Sequence, residues 1–177
     1  MITSLIFNAD DYGRTPEVSR GIREAHRRGV VTSTTCMMNI PSTVSDITLA
    51  LKETPALGLG VHLVLTADSP ILPGEKLRTL TDEKGSFLKL GVLIAKVDGV
   101  DVGEVKTEWR SQIEAFIAAT QHPPTHLDSH HHSSYFTPQL FRAMLELADE
   151  YDCAIRLPVR NQTGFRATGL PDQATED

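Results

Sequence analysis

Only two cysteines, Cys36 and Cys153, occur in the 177 residues. That is too few for a disulfide framework, and both sit in strand-like apolar contexts that suit a small buried residue. No apolar run approaches the roughly 20 residues that a membrane-spanning helix needs. Met1-Ile2-Thr3-Ser4 leads into a short apolar segment with neither a basic leader nor a long apolar stretch, so no signal peptide is read and a cytoplasmic location is expected. Positive charge is scarce as well: 17 Lys and Arg against 23 Asp and Glu leave a formal net charge of -6. Nucleic acid and anionic membrane are thereby disfavoured as partners, because both select basic surfaces. A neutral or cationic small substrate is easier to accommodate.

Histidine is present but unevenly placed: seven in all, none beyond His132, and four of them within Thr125-His126-Leu127-Asp128-Ser129-His130-His131-His132. Pro123 and Pro124 immediately before this stretch disfavour helix, since proline lacks an N–H and pushes its predecessor into extended conformation. Read as one extended run, the stretch puts His126, Asp128, His130 and His132 on one side and Leu127, Ser129 and His131 on the other. Imidazole and carboxylate on one face make a metal-site pattern. The tract is internal and flanked by helical patterns, which sets it apart from a terminal tag.

Along the chain, Leu5-Ile6-Phe7 reads as a buried strand running into the polar loop Asn8-Ala9-Asp10-Asp11-Tyr12-Gly13. Thr15 and Pro16 then open a helix whose stripe is Val18, Ile22 and Ala25, ending at Gly29. A second strand is expected over Val30 to Met38, and a second helix carries Val44, Ile47, Leu49 and Leu51 until Pro55. Leu57 to Leu65 is a third strand, apolar on both faces, with His62 as its only titratable side chain. Ala67 to Lys89 holds Pro70, Pro73, Gly74 and Gly85 and reads as a long irregular loop over the strand ends, where it would cover a bound ligand. Gly103 to Thr120 is an amphipathic helix with Val105, Trp109, Ile113, Phe116 and Ile117 on one stripe. A helix from Thr137-Pro138 turns Leu140, Phe141, Met144, Leu145 and Ala148 inward. Cys153 to Leu157 is a fifth strand, and the tail from Pro158 is polar and patternless.

Alternating strands and helices predict a parallel α/β sheet, either doubly wound or curling into a barrel. The length suits one domain, placed at 1–157, followed by a 158–177 tail. In both architectures chemistry gathers at the carboxyl ends of the strands, which is where Asp10/Asp11, His62 and the histidine tract all fall. Two imidazoles and one carboxylate leave coordination positions open for water and substrate, as catalytic metals require. Of the adjacent acids, one can ligate while its neighbour accepts a proton. A turn capping the helix near Pro16 accounts for the acid pair equally well.

Three motifs, Asn8-Ala9-Asp10-Asp11-Tyr12-Gly13, Gly60-Val61-His62-Leu63-Val64-Leu65-Thr66 and Thr125 to His132, resemble the signatures of the YdjC-like carbohydrate deacetylases, the chitooligosaccharide deacetylase group. The Val31-Thr32-Ser33-Thr34-Thr35 segment resembles that group too. The resemblance runs from the first residues to about Leu157. It implies a (β/α)-barrel-like parallel sheet with outer helices, incomplete in this 177-residue chain, and metal-dependent removal of an acetyl group from an N-acetylated sugar. It implies Asp11, His62 and His130 as ligands of a divalent metal, magnesium or zinc, with His132 as the alternative to His130. It implies Asp10 as general base and His126, Asp128 and His132 as residues that support the ligands or meet the substrate. Two other readings stand beside it: a metal-binding member with lost or reduced turnover, and a metallophosphoesterase on a similar barrel. The family's further barrel strands and its C-terminal histidine have no counterpart here. A homodimer covering the open sheet edge, or an incomplete barrel, is therefore expected.

Overall fold

The computed structural model describes residues 5–157. The expected 158–177 tail lies outside the described residues. Five strands, β1 (Asn8–Tyr12), β2 (Ser33–Cys36), β3 (Gly58–Leu63), β4 (His126–Ser129) and β5 (Ala154–Ile155), form one sheet in the order β1-β2-β3-β4-β5. Every neighbouring pair is parallel. A doubly wound sheet reverses its strand order at a switch point, whereas a (β/α) barrel adds each strand beside the last. The observed order is the barrel's, carried through five strands among the described residues. The helices between the strands are α1 (Pro16–Arg28), α2 (Thr43–Glu53), α3 (Leu90–Ala95), α4 (Val102–Thr120) and α5 (Pro138–Glu150).

Local signals place the helix starts. Thr15 accepts a hydrogen bond from Val18 N and Thr137 from Leu140 N, each with proline at the first helical position, so helix ends that would lack partners are satisfied. The α4 stripe Val105, Trp109, Ile113 and Phe116 is buried as its spacing requires.

The two faces of the sheet differ. The register pairs Asn8 with Ser33, Thr35 with Gly60 and His62 with Asp128, so small and polar residues share one face while Leu59, Val61, Leu63 and Leu127 pack in the core on the other. The expectation that β3 is apolar on both faces is corrected: its inner face is Gly58, Gly60 and His62. A barrel interior that carries chemistry needs that asymmetry.

Four further expectations shift. Leu5, Ile6 and Phe7 are 66%, 80% and 46% exposed, and the first strand is the polar Asn8–Tyr12 segment. The expected apolar strand stands at the open edge of the sheet, where no described element covers it. In α2 the buried residues are Thr43, Asp46, Ile47 and Ala50, leaving Val44, Leu49 and Leu51 exposed. Thr43 donates to Met37 O and Asp46 accepts from Ser19 Oγ, so satisfied polar groups take the inner face. In α5 Leu140, Met144 and Ala148 face inward as expected, joined by Ala143 and Leu147, whereas Leu145 is exposed, two helical steps of about 100° from each of those two. The 67–89 segment is not loose: Leu77, Leu80 and Phe87 are buried, and Glu108 of α4 accepts from Ile71 N (2.9 Å) and Leu72 N (3.0 Å).

Candidate metal centre

Strict alternation along β1 would send Asp10 and Asp11 to opposite faces. The register of β1 on β2 breaks between Ala9 and Tyr12, and Asp11 takes a left-handed conformation with φ 66°. A bulge of this kind re-aims side chains, and here both carboxylates line one pocket. The turn that follows is fixed by Arg14 N donating to Asp11 O (3.1 Å) and Gly13 N donating to Ser19 Oγ (2.9 Å). Gly13 has φ 92°, and a Cβ there would lie 2.1 Å from Thr43 Oγ1, so only glycine fits.

His62 comes from β3 and His130 from the first step after β4. Asp11, His62 and His130 each offer one ligand atom, all within 4.8 Å of one another. Asp11 Oδ1 is 3.3 Å from His62 Nε2 and 3.1 Å from His130 Nδ1, and those two nitrogens are 3.3 Å apart. His62 Nδ1 donates to Asp128 Oδ1 at 2.6 Å. A carboxylate only accepts, so the proton of neutral His62 sits on Nδ1 and Nε2 is a bare lone pair facing Asp11. His130 Nε2 is buried without a partner among the described residues. The bare Nε2 of His62 facing a carboxylate oxygen is repelled unless a cation lies between them, and two imidazoles with one carboxylate are a donor set that fits a divalent metal.

The electrostatics agree. Hydrogen bonds from His130 and then His62 hold the Asp11 carboxyl far below the usual carboxylate range, outweighing its burial. Burial opposes charge on His62, yet the bonds to Asp11 and Asp128 win and push the imidazole up to about 9. Without a metal, a proton fills the position that the site reserves for positive charge.

Asp10 lies beside this trio. Burial raises its pKa, but Arg156 and, more weakly, the His62 charge outweigh burial and leave it lowered. Arg156 donates through Nη1 to Asp10 Oδ2 (2.9 Å) and through Nη2 to Asp10 Oδ1 (2.5 Å), and reaches Asp128 Oδ2 at 2.8 Å. This fork was not singled out from the sequence. The signal was available, because Arg156 is the one charged residue in the expected strand Cys153 to Leu157.

The extended reading of His126 to His132 holds only through Ser129. A 3-10 turn follows over His130–Tyr135, with His131 and His132 left-handed at φ 54° and 57°. Alternation therefore does not bring His130 and His132 to one face. His132 lines the pocket with its ring 6.3 Å from Tyr135, and it is not in the ligand trio. Asp128 stands behind His62. His126 bonds Asn8 and Thr125 instead of the trio. His131, unassigned from the sequence, bonds Thr66 Oγ1 (2.9 Å) and stacks on His130 at 3.9 Å.

The pocket is a cavity of about 360 Å³ whose polar floor is Asp10, Asp11, His62 and His130 and whose apolar wall is Leu90, Ile94 and Phe136. The expectation that the Ala67 to Lys89 loop covers the ligand is corrected: no residue of that loop lines the pocket, Leu90 and Ile94 of the wall belong to α3 just beyond it, and the loop is tied to α4.

A model of the YdjC-like protein family matches residues 4–176. A carbohydrate deacetylase of Enterococcus faecalis is 42% identical over 159 residues, covering 89% of this chain and 58% of the relative. The carbohydrate deacetylase of Clostridium beijerinckii is 40% identical over 152 residues, covering 86% and 59%. A crystal structure from Enterococcus faecalis, described as a candidate cellobiose-phosphate cleavage protein, superposes with a TM-score of 0.83 at 39% identity over 90% of this chain and 60% of that one. The chain thus spans about three-fifths of the length of the curated relatives it matches.

Proposed function

From the premise that this chain belongs to the YdjC-like family, we propose that it carries the metal site of a hydrolase that removes the acetyl group from N-acetylated sugars such as chitooligosaccharides. The observation that supports the reading most is the gathering of Asp11, His62 and His130 within 4.8 Å at the floor of a pocket that Asp10 also lines. The relatives named as carbohydrate deacetylases support the substrate class.

Asp11, His62 and His130 would hold a divalent cation, magnesium or zinc, which would supply Lewis acidity: a polarised acetamide carbonyl and a water of lowered pKa. Asp128 fixes the His62 tautomer and ring angle. Asp10 takes the proton of the attacking water. Arg156 keeps Asp10 ionised and so makes it a weak base, which suits a water already acidified and would fail with bulk water. The apolar wall of Leu90, Ile94 and Phe136 excludes water from the acetyl group. Acetate and a free amino sugar are the products.

A second reading is a metal-binding member with reduced turnover. It draws on the same Arg156 fork, which occupies both oxygens of Asp10. The exposed Leu5, Ile6 and Phe7 beside β1 support a homodimer in which a second copy covers the open edge. Acetate release from diacetylchitobiose, with and without chelator, tests the first reading against the second. Chelator-sensitive release supports deacetylation; no release with metal bound supports the second.

A further inference from the structure

Asn8 stands two residues before Asp10 on the same face of β1, and its Nδ2 donates to Asp10 Oδ1 at 2.8 Å. We infer that Asn8 is the positioning residue of the Asp10 carboxylate, and that His126 acts by holding the Asn8 amide. The inference rests on the reading of Asp10 as the base.

The bond directions are fixed by chemistry. An ionised carboxylate has no proton to give, so the amide must turn its NH2 to Asp10 and its oxygen away. That oxygen, Asn8 Oδ1, lies 2.7 Å from Ser33 Oγ and 3.0 Å from His126 Nε2. Both must therefore donate, which puts the proton of neutral His126 on Nε2 and leaves Nδ1 a bare acceptor 2.9 Å from Thr125 Oγ1, whose single proton serves either that nitrogen or Leu59 O, also 2.9 Å away. Burial, its largest influence, keeps His126 below its ordinary value and thus neutral. The chain His126, Asn8, Asp10 runs in one direction, with a donor and an acceptor at every link.

The ring's seat is built for this. A Cβ on Gly60 would lie 2.5 Å from His126 O and 2.7 Å from His126 Nδ1, so glycine at 60 is what lets the imidazole lie against β3. Neither Asn8 nor His126 is among the residues that line the pocket, so both act through Asp10.

Arg156 alone would not fix the base. Its Nη2 is shared between Asp10 and Asp128, so a carboxylate held only by this fork can swing with it. Asn8 adds a bond from Asp10's own strand, and a bond removed there misplaces the base without touching the metal ligands. Misplacement of a reacting group by about 1 Å costs on the order of 100-fold in rate.

The test compares Asn8→Ala, His126→Phe and His126→Gln with the wild-type chain, loaded with zinc or magnesium. Metal content, kcat and KM for acetate release, thermal unfolding and the His126 tautomer by 1H–15N NMR are measured. Asn8→Ala and His126→Phe should each lower kcat about 10- to 100-fold while KM and metal content stay within twofold. His126→Gln, which keeps a donor, should restore most of kcat. Wild-type His126 should be the Nε2–H tautomer, and Asn8→Ala should release it. Wild-type kcat in Asn8→Ala, a parallel fall in metal content, or an Nδ1–H tautomer in the wild type would each overturn the inference. If the wild-type chain releases no acetate, the deacetylase reading fails, and the tautomer measurement still decides whether His126 holds Asn8.

Discussion

At the candidate metal centre His62 is bound to Asp128: Nδ1 of the imidazole donates to a carboxylate oxygen 2.6 Å away, with both side chains buried. The ring is thereby committed to presenting Nε2 toward Asp11, the orientation that a metal ligand at this position needs.

Asp128→Asn should weaken metal binding about 10- to 100-fold, because the amide must present an NH2 to His62 or to Arg156, which are both donors. Calorimetric titration with zinc checks this. Unchanged affinity would mean that Asp128 does not orient the ligand.

Metal binding should depend on pH in a stated direction. The metal-free His62 is held up to about 9, so below that value a cation must displace a proton. Affinity should rise with pH by roughly tenfold per unit from neutrality up to about pH 9 and then level off, with about one proton released per metal bound. The stability that His62 gives the metal-free fold has the complementary sign: it is present below the ordinary histidine pKa and is lost as pH rises through about 9. Titrations in buffers of different ionisation enthalpy count the protons.

Asp10→Asn should keep the metal and lose about 10²- to 10⁴-fold in kcat, since it preserves shape and removes the base. Elemental analysis and acetate release on the same preparation check both halves. Full activity would take Asp10 out of the base role.

Glu108→Gln should destabilise the chain by about 1–3 kcal/mol. Glu108 is buried and accepts from Ile71 N, Leu72 N and Gln112 Nε2, so an amide must turn its NH2 against a donor. Burial already raises the Glu108 pKa. Denaturant unfolding should show a lower midpoint at an unchanged slope.

Asp11, His62 and His130, which the fold brings together, were legible as candidates because they are polar residues at strand ends, where apolar neighbours and proline or glycine punctuation mark the element; singling out these three took the family resemblance. What the sequence concealed was backbone conformation. Alternation predicts opposite faces for Asp10 and Asp11, and the left-handed φ of Asp11 brings both to the pocket. Left-handed His131 and His132 likewise end a strand that the residue pattern would continue. Asn8 and Arg156 were missed for a different reason: their roles come from contacts across the sheet, Arg156 with Asp10 146 residues away and Asn8 with His126 118 residues away. The Leu5 to Phe7 segment misled because an apolar run signals burial only where another element covers it.

The central claim is that Asp11, His62 and His130 together hold one divalent cation, and metal stoichiometry tests it most directly. Elemental analysis of the wild-type chain and of Asp11→Ala, His62→Ala and His130→Ala, each dialysed against the same zinc solution, should give about one equivalent for the wild type and near none for each variant. A full equivalent in any folded variant would contradict the account.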